Sequence, residues 1–182
     1  MCNDATLSLH NPSGSVDTVG GMKFFEQHQY EAPADAVWAM LTDGAFRDDV
    51  CRATGATQYD VDVAADHSGG TISVRRVIEA RVAEAAKRFV GETVTIVQSE
   101  KWGPAAADGS RSADLRLDVE GQPAKMTGTH ALIGQGASTL FEVAADLKVS
   151  IPLLGGRIEK EIAKAVSAGL AEEYKLGQRY LV

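Results

Sequence analysis

Residues 153–181 constrain the fold more than any other stretch of the chain. Ile158, Ile162, Ala165, Val166, Gly169, Leu170, Leu176 and Tyr180 recur at steps of three and four, which predicts one long amphipathic helix. Arg157, Glu159, Lys160, Glu161, Lys164, Glu172, Lys175 and Arg179 fill much of the remaining surface. Arg157 and Glu161 are spaced as an i,i+4 pair of opposite charge. Pro152 closes the segment before the helix, and Gly155-Gly156 gives a flexible lead-in. A helix of this length does not hold itself folded by propensity alone. It needs an apolar partner, which the rest of the chain has to supply.

That partner reads as strands. Residues 23–31 alternate, with Phe24, Glu26, His28 and Tyr30 on one face. Pro33 then suits the opening of a short helix carrying Val37, Trp38, Met40 and Leu41. Thr42-Asp43-Gly44 interrupts, and residues 45–53 form a second short helix with Phe46, Val50 and Cys51. Period two follows over residues 58–65, 71–80, 92–102, 111–120, 125–133 and 138–150. Residues 82–88 read as a linker with one helical turn. Short Gly-rich turns between strands predict an antiparallel meander, not a parallel sheet built from βαβ units. One-sided alternation means that one face is covered, and the C-terminal helix is the element long enough to cover it. The expected class is α+β: a curved antiparallel sheet of about seven strands, two short helices after the first strand, and a long helix across the concave face.

At 182 residues the chain fits one domain with a full core. Residues 1–21 lack periodicity and read as a disordered leader, and residues 22–182 as the folded domain, with Met22 an alternative start. A formal net charge of -7 argues against a nucleic-acid partner or a general affinity for anionic membranes. No apolar run is long enough for membrane insertion. Cys2 and Cys51 make no disulfide framework and read as free thiols of a reducing cytoplasm.

The first strand running into YEAPADAVWAMLTDGAFRD (residues 30–48) resembles the opening of the START-like, polyketide-cyclase-related (SRPBCC) superfamily, with its helix-grip fold. VQSEKW (residues 97–102), DLKVSIPLLGGRIEKEI (residues 146–162) and the terminal RYL (residues 179–181) resemble a branch known only as a domain of unknown function. The resemblance spans residues 23–181. It implies a deep cavity between sheet and long helix for a hydrophobic or amphipathic small molecule, since members include lipid carriers, hormone receptors and aromatic-ring cyclases. A fold alone does not choose among these.

The residues themselves point to binding more than to catalysis. His10, His28, His67 and His130 make no HxH, HExxH or CxxC-type spacing, so neither metal nor cofactor is expected. GxSxG, SxxK, GxGxxG and Walker patterns are missing too. Arg76 and Glu100 are charges on otherwise apolar strand faces, and buried charges need partners. Arg75 competes with Arg76 for the inward position. Tyr59, Arg76, Trp102, His130, Phe141 and Tyr174 are the candidate cavity residues. The leading expectation is a carrier of a lipid, isoprenoid or polyketide-like molecule. The alternatives are a cyclase or aromatase, with His130, Arg76 or Tyr59 as acid or base, and a ligand-free interaction module whose core is filled.

Overall fold

The structure, a computed structural model, describes residues 21–80 and 91–182. Strand β1 (Met22–Tyr30) leads into α1 (Ala34–Leu41) and α2 (Gly44–Ala53). Six strands follow: β2 (Gln58–Asp66), β3 (Gly69–Glu79), β4 (Thr93–Trp102), β5 (Arg111–Val119), β6 (Ala124–Gly134) and β7 (Thr139–Val149). The chain ends in the 26-residue α3 (Gly155–Tyr180). The sheet order is β1-β7-β6-β5-β4-β3-β2, and every neighbouring pair is antiparallel. This is the expected α+β helix-grip architecture, with a single meander from β2 to β7 and β1 closing its far edge. The leader and the expected turn over residues 82–88, with Cys2 and His10, lie outside the described residues.

Local chemistry sets the boundaries. Pro33 occupies the N-cap of α1, and the Asp43 carboxylate caps α2 by accepting from the backbone N–H groups of Ala45 and Phe46. The alternating strand faces put Ile72, Val74, Leu115, Leu117, Met126, Val143 and Leu147 into one buried layer. Trp38, Phe46 and Val37 of the two short helices close the layer at one end. The opposite faces carry charges in water, such as the bidentate Arg75–Glu120 pair.

Helix α3 approaches this layer closely at both ends. A Cβ on Gly155 would sit 2.4 Å from the Val149 carbonyl oxygen, so only glycine lets the first turn press against the end of β7. A Cβ on Gly177 would sit 2.7 Å from Tyr30 Cε1, and Tyr30 is fixed in the core. These two contacts are separated by about 33 Å of helix at 1.5 Å per residue. Between them the apolar stripe behaves differently: Ile162, Val166 and Leu170 are only half-buried. The helix touches down at its ends and spans a gap in its middle.

Candidate functional site

The gap is a cavity of about 180 Å³. Its roof is Ile158, Ile162, Val166, Gly169 and Leu170 of α3, and its floor is Ile96, Leu115, Leu117, Met126 and Val143 of the sheet. One end is lined by the finish of β3, the β5–β6 turn at Gln122-Pro123, and Ile151. At the other it meets Gln98, His130 and Glu173.

Behind those last three residues lies a buried polar cluster. Glu100 is fully buried on β4, and Arg47 of α2 is nearly so. The Trp102 Nε1–H donates to Glu100 Oε2 at 2.7 Å, and the Gln98 amide donates to Oε1 at 2.7 Å. The Arg47 guanidinium lies 3.6 Å from Glu100 and 3.3 Å from Glu173 of α3. Its Nε donates to the Leu41 carbonyl at the end of α1. Arg47 thus ties both short helices, the sheet floor and the long helix to one charge. Burial by itself would raise the Glu100 pKa. The Arg47 guanidinium beside it, helped by His130 and the Trp102 N–H, outweighs burial and holds the carboxyl well below the usual range. Tyr30 goes the other way: burial, then the nearby Glu173 carboxylate, push its phenol well above the ordinary value.

His130 stands between this cluster and the cavity. Its Nδ1 is 3.5 Å from Glu100 Oε2, too long and poorly aimed for a hydrogen bond, and makes none among the described residues. Its ring packs edge-on against Phe141.

Of the six candidate residues, Arg76 and His130 border the cavity. Arg76 is the inward member of its pair, since Arg75 is exposed and held by Glu120. Trp102 and Phe141 are buried beside His130 and support it from behind. Tyr174 stacks on His28 and donates to the Gln29 carbonyl, so it fastens α3 to β1. Tyr59 accepts from Arg52 on the outer side of α2. Glu100 finds its partner in Arg47, a residue that sequence reasoning passed over, and not in Arg76. The available signal was an arginine directly after Phe46, the most buried position of a short amphipathic helix. Cys51 is a buried free thiol whose pKa burial raises. Among the described residues no group of His, Cys, Asp and Glu could hold a metal, and no helix is long and apolar enough to cross a membrane.

A seven-stranded antiparallel sheet gripping a long C-terminal helix, with two short helices after the first strand, defines a protein of the helix-grip fold. The chain belongs to the family described as protein of unknown function (DUF2505), whose model matches residues 26–181. Its structure is similar to the Zhui aromatase/cyclase from Streptomyces sp. R1128, with a TM-score of 0.61 and 14% identity over 89% of this chain and 94% of that one. It is similar to a STAR-related lipid transfer protein from Xanthomonas axonopodis, with a TM-score of 0.55 and 16% identity over 87% of this chain and 85% of that one. A START superfamily protein from Mycobacterium smegmatis gives 0.55 and 14%, over 88% of this chain and 99% of that one. At these identities the likeness establishes the fold. No functionally curated protein matches the chain in sequence.

Two outcomes follow from the buried pair. Arg47→Met leaves a carboxylate without its cation, which costs about 3–5 kcal/mol. Adding Glu100→Gln to it recovers a large part, because the buried charge is then gone. Urea unfolding reads both, and a loss below about 1 kcal/mol in Arg47→Met would show that the pair ties nothing together. The Glu100 carboxyl is held below its ordinary value of 4.5, so the unfolded chain binds its proton more readily. Its contribution is therefore complete above that pH and fades as pH falls below it. The native protein should lose stability on acidification more steeply than Glu100→Gln does, and equal slopes would contradict the assignment.

Proposed function

We propose that the protein binds a hydrophobic small molecule in the cavity between sheet and C-terminal helix and carries it, as a cytoplasmic binding protein. The observation that carries this reading is the half-buried middle of α3, where the apolar stripe faces empty space instead of side chains. An apolar void of this size is destabilising. A ligand-free interaction module has no use for such a void. Its size also bounds the cargo. An apolar cavity of about 150 Å³ holds benzene. A cavity of this size suits a one- or two-ring compound or a short chain, and a longer lipid or polyketide-like molecule needs α3 to lift. Arg76 and His130 supply the few polar contacts that orient such a ligand.

One observation favours a second reading, an enzyme of the cyclase or aromatase type. His130 faces an apolar cavity with an ionised carboxylate behind it, an arrangement that can move a proton at a bound substrate. The same protein would then show His130-dependent turnover, where a carrier shows binding alone.

A single substitution tests the site. Val166→Phe puts a ring into the void without removing any polar contact. A small naphthalene-type fluorophore should bind the native protein, and Val166→Phe should weaken it at least about tenfold. The same change should leave stability equal or raise it by about 1 kcal/mol. Unchanged affinity in Val166→Phe would move the binding site out of this cavity, and no binding by the native protein would remove the carrier reading.

A further inference from the structure

The loop between β7 and α3 breaks three rules of local stability at once. Leu153 is fully exposed, and its φ of 64° is a left-handed backbone that a leucine rarely adopts. Helix α3 begins without a side-chain cap and without an acidic residue in its first turn. Its first two turns carry the exposed cations Arg157 and Lys160, which the helix dipole repels, beside Glu159, whose carboxylate accepts from the Val149 N–H, and Glu161. The expected Arg157–Glu161 pair does not form, because Glu161 is held by Lys164. Arg157 and Lys160 have no ion pair among the described residues, and neither has Lys148. Lys148 sits directly across the strand pair from Lys125, a like-charge placement that weakens a sheet.

These features share one end of the molecule with the cavity. Ile151 of the same loop lines one end of the cavity. Lys23, Arg157, Lys160 and Lys164 line a groove between β1 and α3; Lys23 pairs with Asp146 and Lys164 with Glu161, which leaves Arg157 and Lys160 as its unpaired cations among the described residues. Phe25, 62% exposed, lies in that groove. A chain that is acidic as a whole presents the unpaired cations Arg157 and Lys160 just after the exposed Leu153 and in one groove with the exposed Phe25. Local costs that nothing in the fold offsets mark a functional surface.

We propose that this end of the protein docks reversibly on an anionic lipid bilayer. Leu153 and Phe25 enter the interfacial layer, and Arg157, Lys160 and Lys148 meet lipid phosphates. Charge complementarity selects an anionic lipid surface over a neutral one, and two exposed apolar side chains suffice for shallow insertion without a spanning segment. Docking in this orientation turns the Ile151 end of the cavity toward the bilayer. The proposal extends the carrier reading by saying where cargo is exchanged, and only that clause rests on it.

Vesicle sedimentation with the full chain tests the docking. Vesicles of phosphatidylcholine containing about 30% phosphatidylserine should bind the protein, and phosphatidylcholine alone should bind it far less. Binding should fall as salt is raised. Lys160→Glu should weaken it on the order of tenfold, and Leu153→Asp at least as much. Lys101→Glu, an equal charge change on exposed β4, should leave it unchanged. Equal binding to neutral vesicles, an equal effect of Lys101→Glu, or no binding at all would overturn the proposal. Should the native protein take up the naphthalene-type fluorophore yet bind no vesicle, the carrier reading stands and the docking falls. Vesicle binding without fluorophore uptake upholds the docking and removes the carrier reading.

Discussion

A carboxylate taken wholly out of water must be met by a cation, and in this protein one arginine meets that need. Arg47 faces Glu100 on the sheet floor, Glu173 on the long helix and the Leu41 carbonyl at the end of α1. Because removing either charge strands the other in a low-dielectric interior, these elements are locked in one relative placement. The lock lies toward the C-terminal part of α3, where Gly177 lets the helix lie against Tyr30. The N-terminal part is fixed separately, by Gly155 against β7 and by Glu159, whose carboxylate accepts from the Val149 N–H at 2.9 Å. With both ends held, the middle of the helix is free to stand away from the sheet. The cavity is a consequence of where the polar and close-packed contacts fall.

Much of the architecture was legible because period and punctuation are local signals. Residues 111–120 alternate cleanly, and β5 occupies Arg111–Val119. The expected segment 153–181 marked the long helix to within two residues at each end. Glu100 stood out as a charge on an apolar face, and it is fully buried. Its partner was not legible, since nothing in the sequence says that residue 47 and residue 100 meet. The register that chooses Arg76 over Arg75 depends likewise on pairing with β2 and β4, a tertiary fact. Tyr59 and Tyr174 illustrate the limit for aromatic residues. Period two assigns a face but not the distance from the cavity, and both tyrosines commit their hydroxyls to neighbouring elements.

Composition misleads in a similar way. A net charge of -7 describes the whole chain and hides how charge is distributed over its surface. The exposed acidic side chains of β2 and β5 lie on outer strand faces, while Lys148, Arg157 and Lys160 gather where β7 gives way to α3. The segment DLKVSIPLLGGRIEKEI combines two roles. Gly155 and Glu159 serve the packing of the helix on β7, and Leu153 and Arg157 do nothing for it. A motif that resembles a packing signal in sequence thus divides, residue by residue, into buried and displayed halves.

The central claim is that the middle of α3 roofs a space meant to be occupied. Native mass spectrometry of the full chain, purified gently from its source and then extracted under denaturing conditions, measures that occupancy directly. The account predicts a fraction of the protein carrying one small apolar molecule per chain, released intact on denaturation. A single bare mass, unchanged after incubation with small aromatic compounds, would contradict it.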